Sequence, residues 1–334
     1  MFPHWLPSWA KYTTHVVLSS IIFVKWWRDQ RKLPLRTSDW GLYLDIHITS
    51  ILRLRRMPNL KRPRGFNDQM KWMMLFDQHP LMPMCADKYE VRRHVESAIG
   101  GQYLIPLKAH GLSWQDVESA VEAGSGVIKC SHDSGSARLF DDLSSDEVAS
   151  LERRFTRLLE RRHGVGKGEW HYGAYTPRLI VEERLPGSRP GGGPADVKVH
   201  CVGGEPRLIH VIEGRQSLDQ KHAFFLPSGE KVSLRVKAHR GNLEVPNIEN
   251  IRELVLPLAR TLAQPFGYVR TDFYVLEDSV FFGELSFHEE AGLFAKKEEE
   301  DDLASFLKIA CVNPRPTIHA QLLAALDSGV THEG

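Results

Sequence analysis

Two acidic residues late in the chain have the spacing of a metal-binding hairpin. In the run Tyr268–Leu276, Arg270 and Asp272 share a face, because side chains along a strand alternate with period two. Glu284 and Ser286 do the same in the run Val280–Phe287. A turn over 277–279 pairs Leu276 with Val280, which sets Asp272 opposite Glu284 and Arg270 opposite Ser286. Carboxylates directly opposite on a sheet repel each other, and a cation between them relieves that. Mg²⁺ suits such a pair. It takes oxygen ligands, usually only one or two of them protein carboxylates, with phosphate oxygens and water completing the shell. These residues alone leave a second reading open, an exposed sheet face on which Arg270 pairs with both acids.

A second cluster lies earlier. Lys129 ends the apolar run Gly126–Cys130 and precedes the small-residue loop 131–137, which contains Ser134, Gly135 and Ser136. Such a loop can bring several backbone N–H groups to phosphate oxygens, with a nearby ammonium adding charge. Taken alone, the triplet reads as an ordinary turn. G-x-x-x-x-G-K, H-E-x-x-H, G-x-S-x-G and G-x-G-x-x-G are all absent. No D-x-D triplet occurs, which weighs against a metal-dependent nucleotide-sugar glycosyltransferase. The sixteen histidines are scattered, and His132, inside the small loop, is the one that stands near this chemistry.

The elements that must position these groups follow from periodicity. Phe66–Phe76 reads as a helix with a Met-rich core stripe, and Ala86–Ile99 as a second helix. Gly126–Cys130 and Arg178–Leu185 read as strands. Ser144 and Glu147 form a capping-box signal ahead of a helix with Val148, Leu151, Phe155, Leu158 and Leu159 on one face. Strands over 196–202 and 207–212 flank Gly203-Gly204, a hairpin signal. Asn247 can cap a helix that buries Ile248, Ile251, Val255, Leu258 and Leu262. Helices followed by antiparallel hairpins and further helices make the class α+β.

With 334 residues, the chain has room for about two ordinary domains. Lys+Arg 43 against Asp+Glu 42 gives no polyelectrolyte character, so nucleic acid is not an expected partner. Cys85, Cys130, Cys201 and Cys311 stand far apart, which fits a reducing, cytoplasmic compartment. Charge is uneven: residues 1–64 hold twelve Lys/Arg and three Asp, and 284–302 hold eight acids and two lysines. The basic segment carries Trp5, Trp9 and the apolar run Val16–Val24, too short for a bilayer, which needs about 20 residues. It reads either as a helix packed on the body or as a segment lying peripherally on the inner membrane surface.

Six segments in order then resemble one family. They are FNDQMKWMMLFDQHPLMPMCADKYEVRRHV (66–95), YLIPL (103–107), VIKCSHDSGSARLF (127–140), GEWHYGAYTPRLIVEERL (168–185), DVKVHCVGGEPRLIHV (196–211) and YVRTDFYVLEDSVFFGELSF (268–287). Together they resemble the TupA-like ATP-grasp family, linked to teichuronopeptide and surface-polysaccharide synthesis. The resemblance implies two α+β subdomains clamping ATP. It suggests a mainly helical N-terminal extension at 1–64 and a helical linker lobe at 65–125. A small subdomain with the phosphate loop follows at 126–185, then a large one with the metal site at 186–310 and a tail at 311–334.

By the same resemblance, Lys88 and Lys129 hold ATP phosphates under a loop containing Ser134, Gly135 and Ser136. Backbone groups of Glu183 and Leu185 read adenine, with Glu182 near its amino group. Asp196 and Lys198 reach ribose and terminal phosphate. Asp272 and Glu284 hold Mg²⁺, and Arg270 steadies a reacting acyl phosphate, so Arg270 and Lys198 are the implied catalytic cations. The implied reaction is ATP-dependent joining of a carboxylate to an amine. A hydroxyl kinase on the same clamp and a non-catalytic membrane scaffold are the alternatives. Two departures bear on the acceptor. Ser286 stands where many such ligases have Asn, and Ser286–Gly292 replaces a Thr-Pro-Gly-type loop with a stretch containing Glu289 and Glu290.

Overall fold

The computed structural model describes residues 39–161, 163–164, 167–186, 194–214, 220–234, 243–245, 247–276, 279–294 and 297–311. The Trp5/Trp9 and Val16–Val24 segment, the tail beyond 311 and residues 187–193 of the Gly/Pro loop lie outside these.

Two antiparallel sheets form the frame. The smaller contains β1 (Leu107–Gly111), β2 (Gly126–Cys130), β3 (Arg138–Phe140) and β4 (Leu179–Glu182) in the order β1-β4-β2-β3. It draws one strand from ahead of residue 126, the start expected for this subdomain. Ile128, Cys130, Leu179 and Val181 bury one face against Val117, Val121 and Phe155. Phe155 belongs to the helix Ser145–Leu159, which starts where its sequence predicts. The Ser144 hydroxyl accepts the Glu147 N–H, and the Glu147 carboxylate accepts the Ser144 N–H. Alternation puts Lys129 and Glu182 on the sheet's other face.

The larger sheet has six strands: β5 (Ala195–Val202), β6 (Glu205–Glu213), β7 (Lys221–Phe225), β8 (Lys231–Val232), β9 (Tyr268–Leu276) and β10 (Ser279–Ser286). Their order is β10-β9-β5-β6-β7-β8. Gly203 and Gly204 close the β5–β6 hairpin at φ 59° and 80°, the left-handed pair that a two-residue hairpin turn demands. Val197, Val199 and Cys201 are buried in one core with the helix Ile248–Ala263, whose first turn is capped by Asn247. That helix buries Ile251, Val255, Ala259 and Leu262. The expected Ile248 and Leu258 are only partly buried, Leu258 because the helix turns Ala259 into line with Val255. The opposite face of β5 presents Asp196, Lys198 and His200.

The helix expected over 86–99 is two helices, Met82–Ala86 and Val91–Ala98. Asp87 makes the break. Its Oδ1 accepts the N–H groups of Tyr89 (2.9 Å) and Glu90 (3.0 Å), and its Oδ2 accepts the Ser131 hydroxyl at 2.7 Å. A short acidic side chain competing for nearby N–H groups in this way favours a turn over a continuous helix. The consequence is functional: the Lys88 N–H donates to the Ser131 carbonyl at 2.9 Å, so Lys88 sits on a turn docked against the 131–137 loop.

Phe66–Phe76 is buried along nearly its whole length, including Met70, Met73 and Met74. Among the described residues, no helix is long and apolar enough to cross a membrane.

Between the sheets, the segment 168–173 contains the short helical turn Trp170–Gly173. Burial pushes the Glu169 carboxyl up from 4.5 to about 7. The folded state therefore favours its protonated form. The resulting stability is full below about pH 4.5 and is lost as pH rises to about 7, a change of about 3 kcal/mol. Glu169→Gln should flatten this part of the pH–stability curve and should exceed the parent protein in stability at pH 8. Urea unfolding across that range checks it.

Candidate active site

The hairpin of β9 and β10 carries the predicted face by a different register from the one expected. Leu276 pairs with Ser279, not Val280, and Phe282 pairs with Phe273. A bulge then falls at Gly283, after which Glu284 pairs with Asp272 and Ser286 with Arg270. The pairing at the acids is thus as read from the sequence, while the turn is one residue tighter. An added Cβ at Gly283 would lie 3.1 Å from the Asp272 carbonyl oxygen, a tight contact that a glycine at the bulge avoids.

Arg270 gathers the acids. Its Nε donates to Asp272 Oδ1 and its Nη2 to Asp272 Oδ2, both at 2.7 Å, the fork geometry that guanidinium matches best. Nη2 also reaches Ser286 Oγ at 3.2 Å and Glu284 Oε1 at 3.4 Å, and Nη1 donates to Glu289 Oε1 at 2.9 Å. From the neighbouring strand, Lys198 Nζ donates to Asp272 Oδ2 and lies 3.2 Å from Asp196 Oδ1. Burial opposes ionisation of Asp272, but Arg270 and Lys198 outweigh it and hold this carboxyl well below the usual range. Asp196 and Lys198 are both buried, so they are not a surface pair.

The smaller sheet supplies the second half. Lys129 Nζ meets Glu182 Oε2 at 2.7 Å, and Arg92 Nη1 lies 3.6 Å from Glu182 Oε1. The Glu183 N–H donates to the Pro106 carbonyl at 2.9 Å, leaving its own carbonyl for another donor. Lys88 Nζ donates to the Asp133 carbonyl. Ser136 is buried; its hydroxyl donates to Asp133 Oδ1 at 2.6 Å and accepts the Cys130 N–H at 3.0 Å. Ser134 and Gly135 are exposed at the loop tip. At Gly135, φ is 85° and an added Cβ would meet nothing within 4 Å. His132 Nε2 meets the Arg161 carbonyl at 2.9 Å and ties the loop to the end of a helix, while its buried Nδ1 has no hydrogen-bond partner among the described residues.

The Tyr172 ring packs on His163 and His171. Burial pushes its phenol upward, reinforced by Glu169, Glu284 and Asp133 and opposed by Arg270. His163 is likewise in range of the loop: burial takes its imidazole down to about 4, with Asp133 opposing and Lys88 assisting.

Several residues on the large-sheet face escape a motif-based reading. Cross-strand pairing sets His210 beside Lys198 and His200 beside Arg270. His210 Nε2 meets His222 Nδ1 at 2.8 Å, and its ring stacks on Phe224 at 4.1 Å. The signal was the alternation Asp196, Lys198, His200, which extends the charged face by one more polar residue.

The donor set fits Mg²⁺. Four carboxylates (Asp196, Asp272, Glu284, Glu289) share two cationic side chains (Lys198, Arg270), a deficit that a divalent ion offsets. The donors are all oxygen, as a hard cation prefers. Glu284, with 30% of its side chain exposed and one long contact, has donor capacity to spare. Among the described residues, no three His, Cys, Asp or Glu side chains converge as a metal site. A two-carboxylate site completed by phosphate oxygens and water is therefore the form that fits.

The family model described as TupA-like ATPgrasp matches residues 68–307. Among solved structures, the chain is similar to D-alanine–D-alanine ligase from Bacillus anthracis, at 12% identity over 84% of this chain and 77% of that one, with a TM-score of 0.40. It is also similar to the ATP-grasp ligase PsnB complexed with minimal precursor (12% identity, 75% of this chain, 62% of that one, TM-score 0.36). A third is the RimK domain protein ATP-grasp from Sphaerobacter thermophilus (13% identity, 67% and 68%, TM-score 0.36). Likenesses of this size transfer no residue role. No curated protein sequence matches the chain.

Arg270→Ala would strand Asp272 and Glu289 as buried charges with fewer partners, at a cost of about 3–5 kcal/mol. Arg270→Lys should recover part of this, because a point charge replaces the fork. Chemical denaturation of both variants tests the order.

Proposed function

The chain belongs to the TupA-like ATP-grasp family, and on that premise we propose that it is an ATP-dependent, ADP-forming carboxylate–amine ligase. Its two sheets are the two α+β subdomains of the ATP-grasp fold. The observation that carries the reading is the pairing of Asp272 with Glu284 beneath Arg270 and Lys198 on one sheet face.

In this reading Lys88, Lys129 and the backbone of Ser134, Gly135 and Ser136 hold the phosphates of ATP. The segment from Glu182 to Leu185 lies along adenine. The Glu183 carbonyl accepts from the adenine amino group, since its N–H is spent on Pro106, and the Leu185 N–H donates to the ring. Asp196 takes the ribose and Lys198 the terminal phosphate. Asp272 and Glu284 hold magnesium, which when bound offsets phosphate charge. A substrate carboxylate oxygen attacks the terminal phosphorus, and ADP leaves with the electron pair of the broken P–O bond. The amine nitrogen then attacks the acyl carbon, the bond to phosphate breaks, and the nitrogen gives up a proton. Arg270 stabilises charge on the reacting oxygens. The carboxylate is a uronic-acid or amino-acid group of a surface glycan, as the family's association with surface-polysaccharide synthesis suggests. The enzyme works in the cytoplasm.

ADP release with Mg²⁺, ATP and a panel of uronic and amino acids tests the reading. Hydroxylamine should trap the acyl phosphate as a hydroxamate, whereas a phosphorylated alcohol in its place would make the protein a kinase. Glu284→Gln should lower turnover about a hundredfold or more with little loss of stability, because Glu284 makes only one 3.4 Å contact with Arg270. Full turnover in that variant would remove Glu284 from the site.

We also propose contact with an anionic membrane surface through the basic extension. Within its described part, Arg53, Arg55, Lys61, Arg62 and Arg64 are exposed, and so are Leu52 and Met57. Exposed cations interleaved with apolar side chains suit anionic headgroups. The protein should co-sediment with phosphatidylserine vesicles, less so at high salt, and not with neutral phosphatidylcholine vesicles. Equal sedimentation with both lipids would leave the segment as part of the body.

A further inference from the structure

Glu289 is placed unlike any other acid of the site. One of its oxygens, Oε1, accepts Arg270 Nη1–H at 2.9 Å. The other, Oε2, accepts the Tyr268 hydroxyl at 3.3 Å and lies 3.4 Å from His200 Nδ1. Tyr268 donates to Glu289, so its oxygen is left to accept from His200 Nδ1 at 3.0 Å. That assigns the Nδ1–H tautomer of His200. Two side chains thus donate to one carboxylate, a guanidinium and a phenol, and the imidazole on the adjacent strand donates to the phenol oxygen and orients it. Tyr268 and His200 are almost fully enclosed.

The carboxylate they hold comes from outside the strands. Glu289 lies beyond the end of β10, where the next three residues, Glu290, Ala291 and Gly292, have φ of 50°, 52° and 60°. Left-handed backbone at two successive non-glycine residues is disfavoured. The segment is held by its contacts: Gly292 lies close against Asn67 and Met70, and Glu289 is clamped by Arg270.

We propose that Arg270, Tyr268 and His200 form a carboxylate subsite, which Glu289 occupies in this structure and which a substrate carboxylate takes by displacing Glu289. This deepens the ligase reading and rests on it for the identity of the incoming group. The displaced Glu289, moving with Glu290, then adds negative charge at the rim, which suits a positively charged amine as the second substrate.

Glucuronate and orthophosphate serve as separate probes, each titrated calorimetrically into the full-length protein with and without Mg²⁺ and ADP. Glu289→Gln keeps the shape and the hydrogen-bond acceptor but removes the competing charge. It should bind glucuronate at least about tenfold more tightly than the parent protein. Unchanged or weaker glucuronate binding would overturn the proposal, as would a gain seen with orthophosphate alone. Failure of the ligase reading looks different: the parent protein would not bind Mg²⁺ and ADP at all. A second measurement covers the case in which Glu289→Gln does not fold. In crystals of the unaltered protein soaked with glucuronate, Mg²⁺ and ADP, the 2.9 Å contact between Arg270 and Glu289 should be broken. Glucuronate bound at Arg270 with that contact intact would overturn the displacement.

Discussion

One guanidinium sets the terms for the rest of the site. Arg270 is enclosed in protein, and it survives there because Asp272 and Glu289 take three of its N–H directions while Glu284 and Ser286 share a fourth. A buried charge that loses its partners costs several kcal/mol, so the elements around Arg270 are bound to one geometry. The strand register has to bring Asp272 and Glu284 to the same face, and a slip of one residue would turn Glu284 into the core. The bulge at Gly283 makes that adjustment: it absorbs the tight turn at Leu276 and Ser279 and restores the facing pair. The helix Ile248–Ala263 fixes the sheet from behind, and β5 adds Lys198 as the second cation.

At the smaller sheet, short polar contacts shape the 131–137 loop. Asp87 breaks a helix, and the turn it makes docks Lys88 against that loop. Ser136 and Asp133 hold the loop's inner side, while Ser134 and Gly135 are left at its exposed tip. Such an arrangement combines an anchored inner side with an exposed tip.

Much of this was legible because the signals were local. Phe66–Phe76, Gly126–Cys130 and Tyr268–Leu276 match their elements residue for residue, and Ser144, Asn247 and Gly203-Gly204 mark caps and a turn where the structure has them. Periodicity and capping act within a few residues, so one sequence suffices to read them. Most of the failures involve distant partners. Asp87 turns the chain locally by accepting the Tyr89 and Glu90 N–H groups, and nothing within 86–99 shows that it will also find Ser131. The bulge at Gly283 is set by packing against Asp272 and Tyr274 rather than by any turn signal. His200, His210 and His222 belong to the site through cross-strand register, and scattered histidines reveal no register. For His132, inside the loop, the contact the structure shows is likewise distant, Nε2 on the Arg161 carbonyl.

The two departures from the family pattern find a common physical account. Ser286 does not need to serve as a metal ligand, because its hydroxyl is taken up by Arg270. A neutral residue there leaves the charge balance to the acids. Those acids already outnumber the cations four to two, and one of them, Glu289, is delivered by a backbone of unfavourable conformation. An acid that merely steadied Arg270 could come from a relaxed position on a strand, as Asp272 does. Holding it on a strained segment makes sense chiefly if it must be able to leave. On departure the core keeps Arg270 with one anion fewer and two donors, Arg270 and the Tyr268 hydroxyl, open to another carboxylate, so the same interaction that stabilises the folded site also sets the affinity a substrate must exceed.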